Sequence, residues 1–295
     1  MKSYLFSSTD FKLPVISFTE VSGRLFALAS FIMLAAGLVH PQRIAILNPA
    51  LSDGSPDAVI LELGKILSSR YRLIDFSQSF YAVRDSGIEN FYNLTRSQAV
   101  ELSERIGCNK LILVRSEVLP RQDLQGKSYK EAFAALFVID GKSGALIKFL
   151  LYSVKNDSEN AALSSLLETL NSSSDEILQT LQLGFDESQP ENYADAEKLL
   201  DEKNSKPPLP YKRIQPKYTE LAFLYSVAAT VEIEVFIDDQ GKVTAARIMR
   251  WAGFGLDDEV KKAVLSMNWR PAFRGNTALS ARALLRYNFK KFKTE

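Results

Sequence analysis

One histidine, one cysteine and two pairs of adjacent aspartates are the side chains of this 295-residue chain best suited to chemistry. His40 is the only imidazole, and it abuts an uncharged stretch from Leu25 to Val39. A Ser-His-Asp or Cys-His nucleophile in the remainder is therefore excluded. Cys108 is the only thiol, so a zinc site of His and Cys ligands is excluded as well. Cys108 follows Gly107 and leads an apolar run, which reads as a buried packing position. Asp238-Asp239 and Asp257-Asp258 have the adjacency that acid–base catalysis uses. Each pair nevertheless falls where a turn or a helix start calls for acids. Gly253-Phe254-Gly255 lacks a phosphate-binding context and reads as a turn. Asn93-Leu94-Thr95 has sequon spacing, and Thr95 also suits a helix cap. The expectation is a protein with no catalytic, metal or cofactor residues, not an enzyme, whose work is docking.

The elements that would do the docking lie in the last eighty-odd residues. Val231, Ile233, Val235 and Ile237 alternate with Glu232, Glu234 and Phe236, the period of a half-buried strand. Asp238 to Gly241 supplies a turn, and Lys242 to Met249 a returning strand. Acids at 257–259 then precede Val260, Ala263, Val264 and Met267 on one helical face. Asn268-Trp269-Arg270 is a short extended exit before Pro271. Leu279 to Phe292 is a final strand. Ala283, Leu285, Tyr287 and Phe289 share its packing face. Arg282, Leu284, Arg286, Asn288, Lys290 and Phe292 share the other, with a basic row through Arg282, Arg286 and Lys290. An unpaired edge strand accepts an extended peptide, while basic side chains on it also guard against aggregation.

These residues resemble the C-terminal domain of the TonB family. Pro216, Tyr218 and Ala222 look like that family's lead-in motif, and Asp238 and Gly241 like its turn. Leu256-Asp257 look like its helix start, Trp269-Arg270-Pro271-Ala272 like its exit, and Tyr287 and Phe289 like its closing strand. The resemblance covers 210–292. Thr219 stands where the family usually has proline, and Ala228-Ala229-Thr230 replaces a usual glycine. The resemblance implies partner contacts along Arg282, Leu284, Leu285, Arg286, Tyr287, Asn288, Phe289 and Lys290, with Pro216 and Tyr218 in the lead-in. It implies an outer-membrane TonB-dependent receptor and an ExbB/ExbD-like inner-membrane motor as partners. The basic row would favour a receptor peptide with acidic flanks.

Charge is uneven along the chain. Residues 206–295 hold 16 Lys or Arg against 9 Asp or Glu, a net of about +7. Residues 186–205 hold 2 against 7, and residues 42–185 hold 15 against 17. A basic module suits nucleic acid, but a membrane segment on the same chain argues against that partner. Leu25 to Val39 would span ~22 Å as a helix, short of a ~30 Å hydrocarbon core. Arg24, Lys12 and Lys2 precede it, which keeps the N-terminus cytoplasmic. Three readings stand: a signal peptide cleaved near Ala35-Ala36-Gly37, an uncleaved anchor, and a buried core helix. The resemblance favours the anchor. The location is then the inner membrane, single-pass with a periplasmic C-terminal part, or the periplasm if the signal is cleaved. Family members place a functional histidine inside the membrane helix, whereas His40 lies at its end.

The expected organisation is an N-terminal tail and membrane segment over 1–41, an α/β domain over 42–185, an acidic and proline-bearing linker over 186–209, and the C-terminal domain over 210–295. The fold class is α+β. A membrane helix precedes a mixed α/β layer domain, and a small β-β-α-β domain follows. In 42–185, strands are predicted at Arg43–Asn48, Tyr71–Phe76 and Leu111–Val118, with a hairpin around Asp140–Gly144. Helices are predicted from Val59 to Arg70, from Thr95 to Gly107, and over 159–182 with a break near Asn171–Ser174. That order, with the phrases RLID and CNKLILV, resembles the front domain of TolB and CsgG-like envelope proteins. Two function classes follow. One is a TonB-like energy transducer that docks receptor peptides by β-augmentation. The other is a periplasmic envelope scaffold or sensor in which the tail is a tether.

Overall fold

Strand β1 (Arg43–Leu47) is followed by helix α1 (Ala58–Ser68), which the sequence starts with Asp57. The Asp57 carboxylate accepts from Ile60 N at 2.8 Å, satisfying one of the helix's free amides. These elements belong to a computed structural model of the chain, which describes residues 42–51, 55–84, 86–185 and 192–290. Residues 25–39 and His40 lie outside the described residues. Among the described residues no helix is long and apolar enough to cross a membrane.

After β2 (Arg72–Leu73) come α2 (Phe76–Arg84) and α3 (Arg96–Ile106). The sequence reading made Tyr71–Phe76 one strand. The structure ends that strand at Leu73, because Asp75 accepts from Gln78 N at 3.1 Å and starts a helix at Phe76. Helix α3 has the expected capping box. Gln98 N donates to Thr95 Oγ1 at 3.2 Å, and Thr95 N donates to Gln98 Oε1 at 2.9 Å. It stops at Gly107, whose φ of 78° suits glycine.

Three long antiparallel strands follow, β3 (Lys110–Gln122), β4 (Ser128–Asp140) and β5 (Leu146–Asn156), then α4 (Glu159–Ser172) and α5 (Ser174–Gln182). The sheet order is β2-β1-β3-β4-β5, with β1 parallel to both its neighbours. Alternation splits this sheet into two buried faces. Ile44, Ile46, Ile112, Val114, Leu136 and Val138 pack under α1, α4 and α5. Leu47, Leu113, Phe133 and Phe137 face a second core, which they share with the C-terminal module.

The segment expected as a linker is fastened to that module. It carries β6 (Ala194–Asp195), α6 (Ala196–Asp201), β7 (Ser205–Lys206) and β8 (Leu209–Pro210). The module then adds α7 (Glu220–Leu224), β9 (Ala229–Ile237), β10 (Val243–Arg250), α8 (Leu256–Leu265), β11 (Trp269–Arg270), β12 (Ala272–Arg274), β13 (Thr277–Leu279) and β14 (Ala281–Phe289). β6, β7 and β8 pair with β14, β12 and β11. The main sheet runs β10-β9-β14-β6, so the hairpin, helix and last strand of the sequence reading are all present. At the hairpin turn a Cβ on Gly241 would sit 2.0 Å from the Trp269 carbonyl oxygen, and φ is 80°, so only glycine fits.

From Gln42 onward the chain is one compact unit, and three contacts explain why. The loop after β10 drives Trp251 and Phe254 into the front sheet. Phe254 lies 4.6 Å from Phe149, and Trp251 5.4 Å from Phe137, by ring centroids. Asn93 is 7% exposed and ties β9 and the loop after β10 at once. Its amide donates to Thr230 O at 2.8 Å and Trp251 O at 2.7 Å, while its oxygen accepts from Thr230 N at 2.9 Å. Glu131 on β4 accepts from Ser153 Oγ at 2.6 Å, Arg121 Nε at 2.8 Å and Tyr225 Oη at 2.8 Å.

Burial alone would raise the Glu131 carboxyl. The bonds from Ser153, Tyr225 and Arg121 outweigh it and hold the group below its usual range. A carboxyl depressed in the folded state stabilises above its unfolded value, and that stability is lost as pH falls through the folded value. Glu131→Gln is expected to cost about 1–3 kcal/mol near neutral pH, because the buried Tyr225 hydroxyl and the half-buried Arg121 lose a charged acceptor. It is also expected to flatten the acid side of the stability profile. Urea melts from pH 7 down to 3 check both effects, and an unchanged acid limb would contradict the assignment.

Candidate functional site

The last strand carries the expected site, and its two edges differ. On one side β14 pairs with β9 without a register shift, from Ala281 opposite Ile237 to Phe289 opposite Ala229. On the other side β6 covers only Ala281 and Arg282. Among the described residues, no strand lies along that outer side from Ala283 onward.

Two hydrogen bonds fix which backbone groups face outward. Ala194 N donates to Ser280 O at 2.9 Å, and the Arg213 guanidinium donates to Arg286 O. Backbone groups of successive residues point to opposite sides of a strand, so even-numbered residues face the outer edge. Leu284, Arg286 and Asn288 thus present their N–H and C=O groups outward. Leu285, Tyr287 and Phe289 spend theirs on β9.

The side chains follow the face reading. Tyr287 and Phe289 are buried and Leu285 packs against the same core, while Leu284 is 43% exposed. Asn288 accepts from Thr230 Oγ1 at 2.7 Å, and Lys290 is exposed at the end of the strand. The lead-in residues buttress this end. Tyr218 stacks on Phe289 at 6.2 Å and donates to Val227 O at 2.8 Å, with half-buried Pro216 just before it. Thr219, in place of proline, caps α7 by accepting from Ala222 N at 3.1 Å and donates to Phe254 O at 2.7 Å. The departure therefore adds a tie to the loop that docks the module.

The basic row takes on a different meaning in three dimensions. Arg282 meets Glu234 at 3.1 Å and Asp195 at 3.0 Å. Arg286 meets Glu232 at 2.8 Å, and Arg250 approaches the same carboxylate at 3.4 Å. Two of the three expected cations are thus neutralised inside their own sheet. Arg213 reaches the outer edge and exposed Lys290 follows the strand's last residue, while Lys212 and Lys217 are exposed in the segment that carries Arg213. No ion pair engages these four among the described residues. Arg213 also lies over the Tyr287 ring at 4.7 Å.

Sequence reasoning missed Arg213 because no motif marks an arginine that acts on a strand seventy residues away. It also missed Asn93, whose sequon spacing drew attention from its amide. The pairing of Arg282 and Arg286 was within reach, since Glu232 and Glu234 alternate onto the same face. Elsewhere, among the described residues no strand covers the outer side of β3 past Leu113, where β1 ends. Pro120 removes a donor there, and Arg115, Glu117 and Arg121 charge that stretch, which is how unpaired edges are blunted. β14 has no such proline. Among the described residues no group of three or more His, Cys, Asp or Glu side chains is placed to hold a metal.

Comparison with known proteins agrees on the C-terminal part. Residues 214–290 match the family described as the Gram-negative bacterial TonB protein C-terminal. The TonB C-terminal domain of Pseudomonas aeruginosa, solved in solution, is 20% identical, with a TM-score of 0.27 over 32% of this chain and 95% of that one. Lipoprotein GNA1162 from Neisseria meningitidis is 14% identical, with a TM-score of 0.34 over 47% of this chain and 99% of its own. The LpoB C-terminal domain from Escherichia coli is 14% identical, with a TM-score of 0.24 over 43% and 93%. No curated protein matches the sequence. The family match implies that the C-terminal part of the chain is periplasmic.

Proposed function

We propose, from the premise that residues 214–290 are a TonB-type C-terminal segment, that this chain docks an extended segment of an outer-membrane TonB-dependent receptor along the outer edge of β14. The observation that carries the reading is the stretch from Ala283 to Phe289, fully paired to β9 on one side and free of any described strand on the other. A peptide laid there would bond to Leu284, Arg286 and Asn288, with affinity from backbone bonds. Lys212, Arg213, Lys217 and Lys290 would set two copies of this chain against each other by like charge, so an acidic partner fits better than self-pairing. In this reading residues 25–39 anchor the chain in the inner membrane, an ExbB/ExbD-like motor drives it, and no chemistry is catalysed.

Crosslinking tests the docking step. Partial burial pushes the Cys108 thiol up to about 11, which keeps it protonated and a poor nucleophile at neutral pH. Asn288→Cys therefore introduces a single reactive thiol beside the edge. In cells whose receptors carry a cysteine in their periplasmic extended segment, a disulfide-linked adduct is expected at Asn288→Cys. None is expected at Asp239→Cys on the hairpin turn. Equal adducts at both positions, or none at either, would overturn the reading.

A second reading is favoured by one observation. Three strand pairs hold 194–210 against the module, so the described residues include no long free spacer. An envelope scaffold or sensor, with the module as a tether, needs none. The mature N-terminus discriminates: cleavage after Gly37 favours the scaffold, and an intact Met1 favours the transducer.

A further inference from the structure

The outer edge of β14 already has one occupant. The Arg213 guanidinium bonds the Arg286 carbonyl and lies 4.7 Å from the Tyr287 ring centroid. That carbonyl is one of the acceptors an added strand requires, so a docking peptide has to displace the guanidinium from it.

We propose that Arg213 is a specificity residue: it selects peptides that carry a carboxylate at the position facing Tyr287, whose side chain lies on the same face of the sheet as that ring. The inference rests on the docking reading above and goes on to name the partner's chemistry. Once displaced, the guanidinium keeps its planar fork of donors and stays tethered beside Tyr287. A neutral peptide leaves that cation without its acceptor. An Asp or Glu side chain replaces the lost carbonyl with a charge-assisted, two-pronged contact. The arginines of β14 cannot take this role, because Arg282 and Arg286 are held by Glu234, Asp195 and Glu232. Lys290 at the strand end, and Lys212 and Lys217 in the segment that carries Arg213, are exposed cations that add to the same preference, with no ion pair of their own among the described residues.

The experiment is selection of random displayed peptides by the full-length protein and by its Arg213→Ala, Arg213→Gln and Arg213→Glu variants. Arg213 is exposed, and Arg213→Gln keeps a hydrogen-bonding side chain while removing the charge. The wild type is expected to enrich Asp or Glu at one register position. The Ala and Gln variants lose that enrichment while still capturing peptides, and the Glu variant enriches Lys or Arg there. Replacing the selected Glu by Gln in one such peptide is expected to weaken binding to wild type about three- to tenfold, and to leave Arg213→Ala unaffected. Capture without acidic enrichment, or enrichment that survives Arg213→Ala, overturns the specificity role and leaves docking intact. Failure of every form to capture any peptide overturns docking itself, and this inference with it.

Discussion

Leu284→Pro is expected to reduce capture of an extended receptor segment by more than about tenfold while the protein still melts cooperatively. The expectation follows from the parity of β14. The Leu284 amide points to the open side, so losing it removes a bond that only a docked strand would make. Proline is tolerated on an edge whose N–H faces outward, and the fixed φ costs about 1 kcal/mol of stability. Leu285→Pro is the contrasting variant. Its amide is spent on β9 opposite Ile233, in the middle of an unbroken ladder. Proline there deletes an internal bond and forces the strand apart, at about 3 kcal/mol or more. Thermal melts and peptide capture on the two variants separate the effects. Capture retained by Leu284→Pro, at wild-type affinity, would show that peptides bind elsewhere.

Phe254→Ala carries the largest expected loss of stability, about 3–5 kcal/mol. Phe254 is 2% exposed and meets Phe149, Tyr225 and Phe137 at 4.6, 5.6 and 6.2 Å between ring centroids. It sits at a φ of 52°, between Gly253 at 69° and Gly255 at 76°. A left-handed phenylalanine costs about 1–2 kcal/mol, which the burial of its ring offsets. Asp257 braces the turn by accepting from Ala252 N at 2.9 Å and Gly253 N at 2.7 Å. The glycine is equally constrained, since a Cβ on Gly253 would come within 2.7 Å of Phe149 and 2.8 Å of Phe137. Truncating the ring empties the joint between the front sheet and the module. Denaturant melts read the loss. Limited proteolysis is expected to begin in the segment 211–219 of the variant, ahead of global unfolding. A variant as stable and as resistant as wild type would contradict the shared core.

The C-terminal elements were legible because their signals are local. Alternation gives β9 and β14, the Asp238–Gly241 turn gives the hairpin, and acids at 257–259 give α8. What escaped depends on distance or on very short elements. Two-residue strands such as β6 and β8 have no period to read, so the acidic segment looked like a free linker. Phe254 between two glycines looks like a surface turn in sequence and is an apolar wedge in the fold. Asp75 shows the opposite case: its cap was local and readable, but the apolar run around it suggested a strand. The two faces of the last strand were read correctly. The charge of its basic row was not, although Glu232 and Glu234 alternate onto the face that meets its arginines.

The central claim is that the outer edge of β14, free of any described strand from Ala283 onward, is the surface that takes a peptide. Residue-resolved amide hydrogen exchange tests it most directly, on the full-length protein with and without a receptor segment. In the free protein the Leu284, Arg286 and Asn288 amides are expected to exchange fast, while Leu285 and Tyr287 are protected. On peptide binding, the three even-numbered amides are expected to slow and the odd-numbered ones to stay as they were. Even-numbered amides already protected in the free protein, or unchanged when peptide binds, would contradict it.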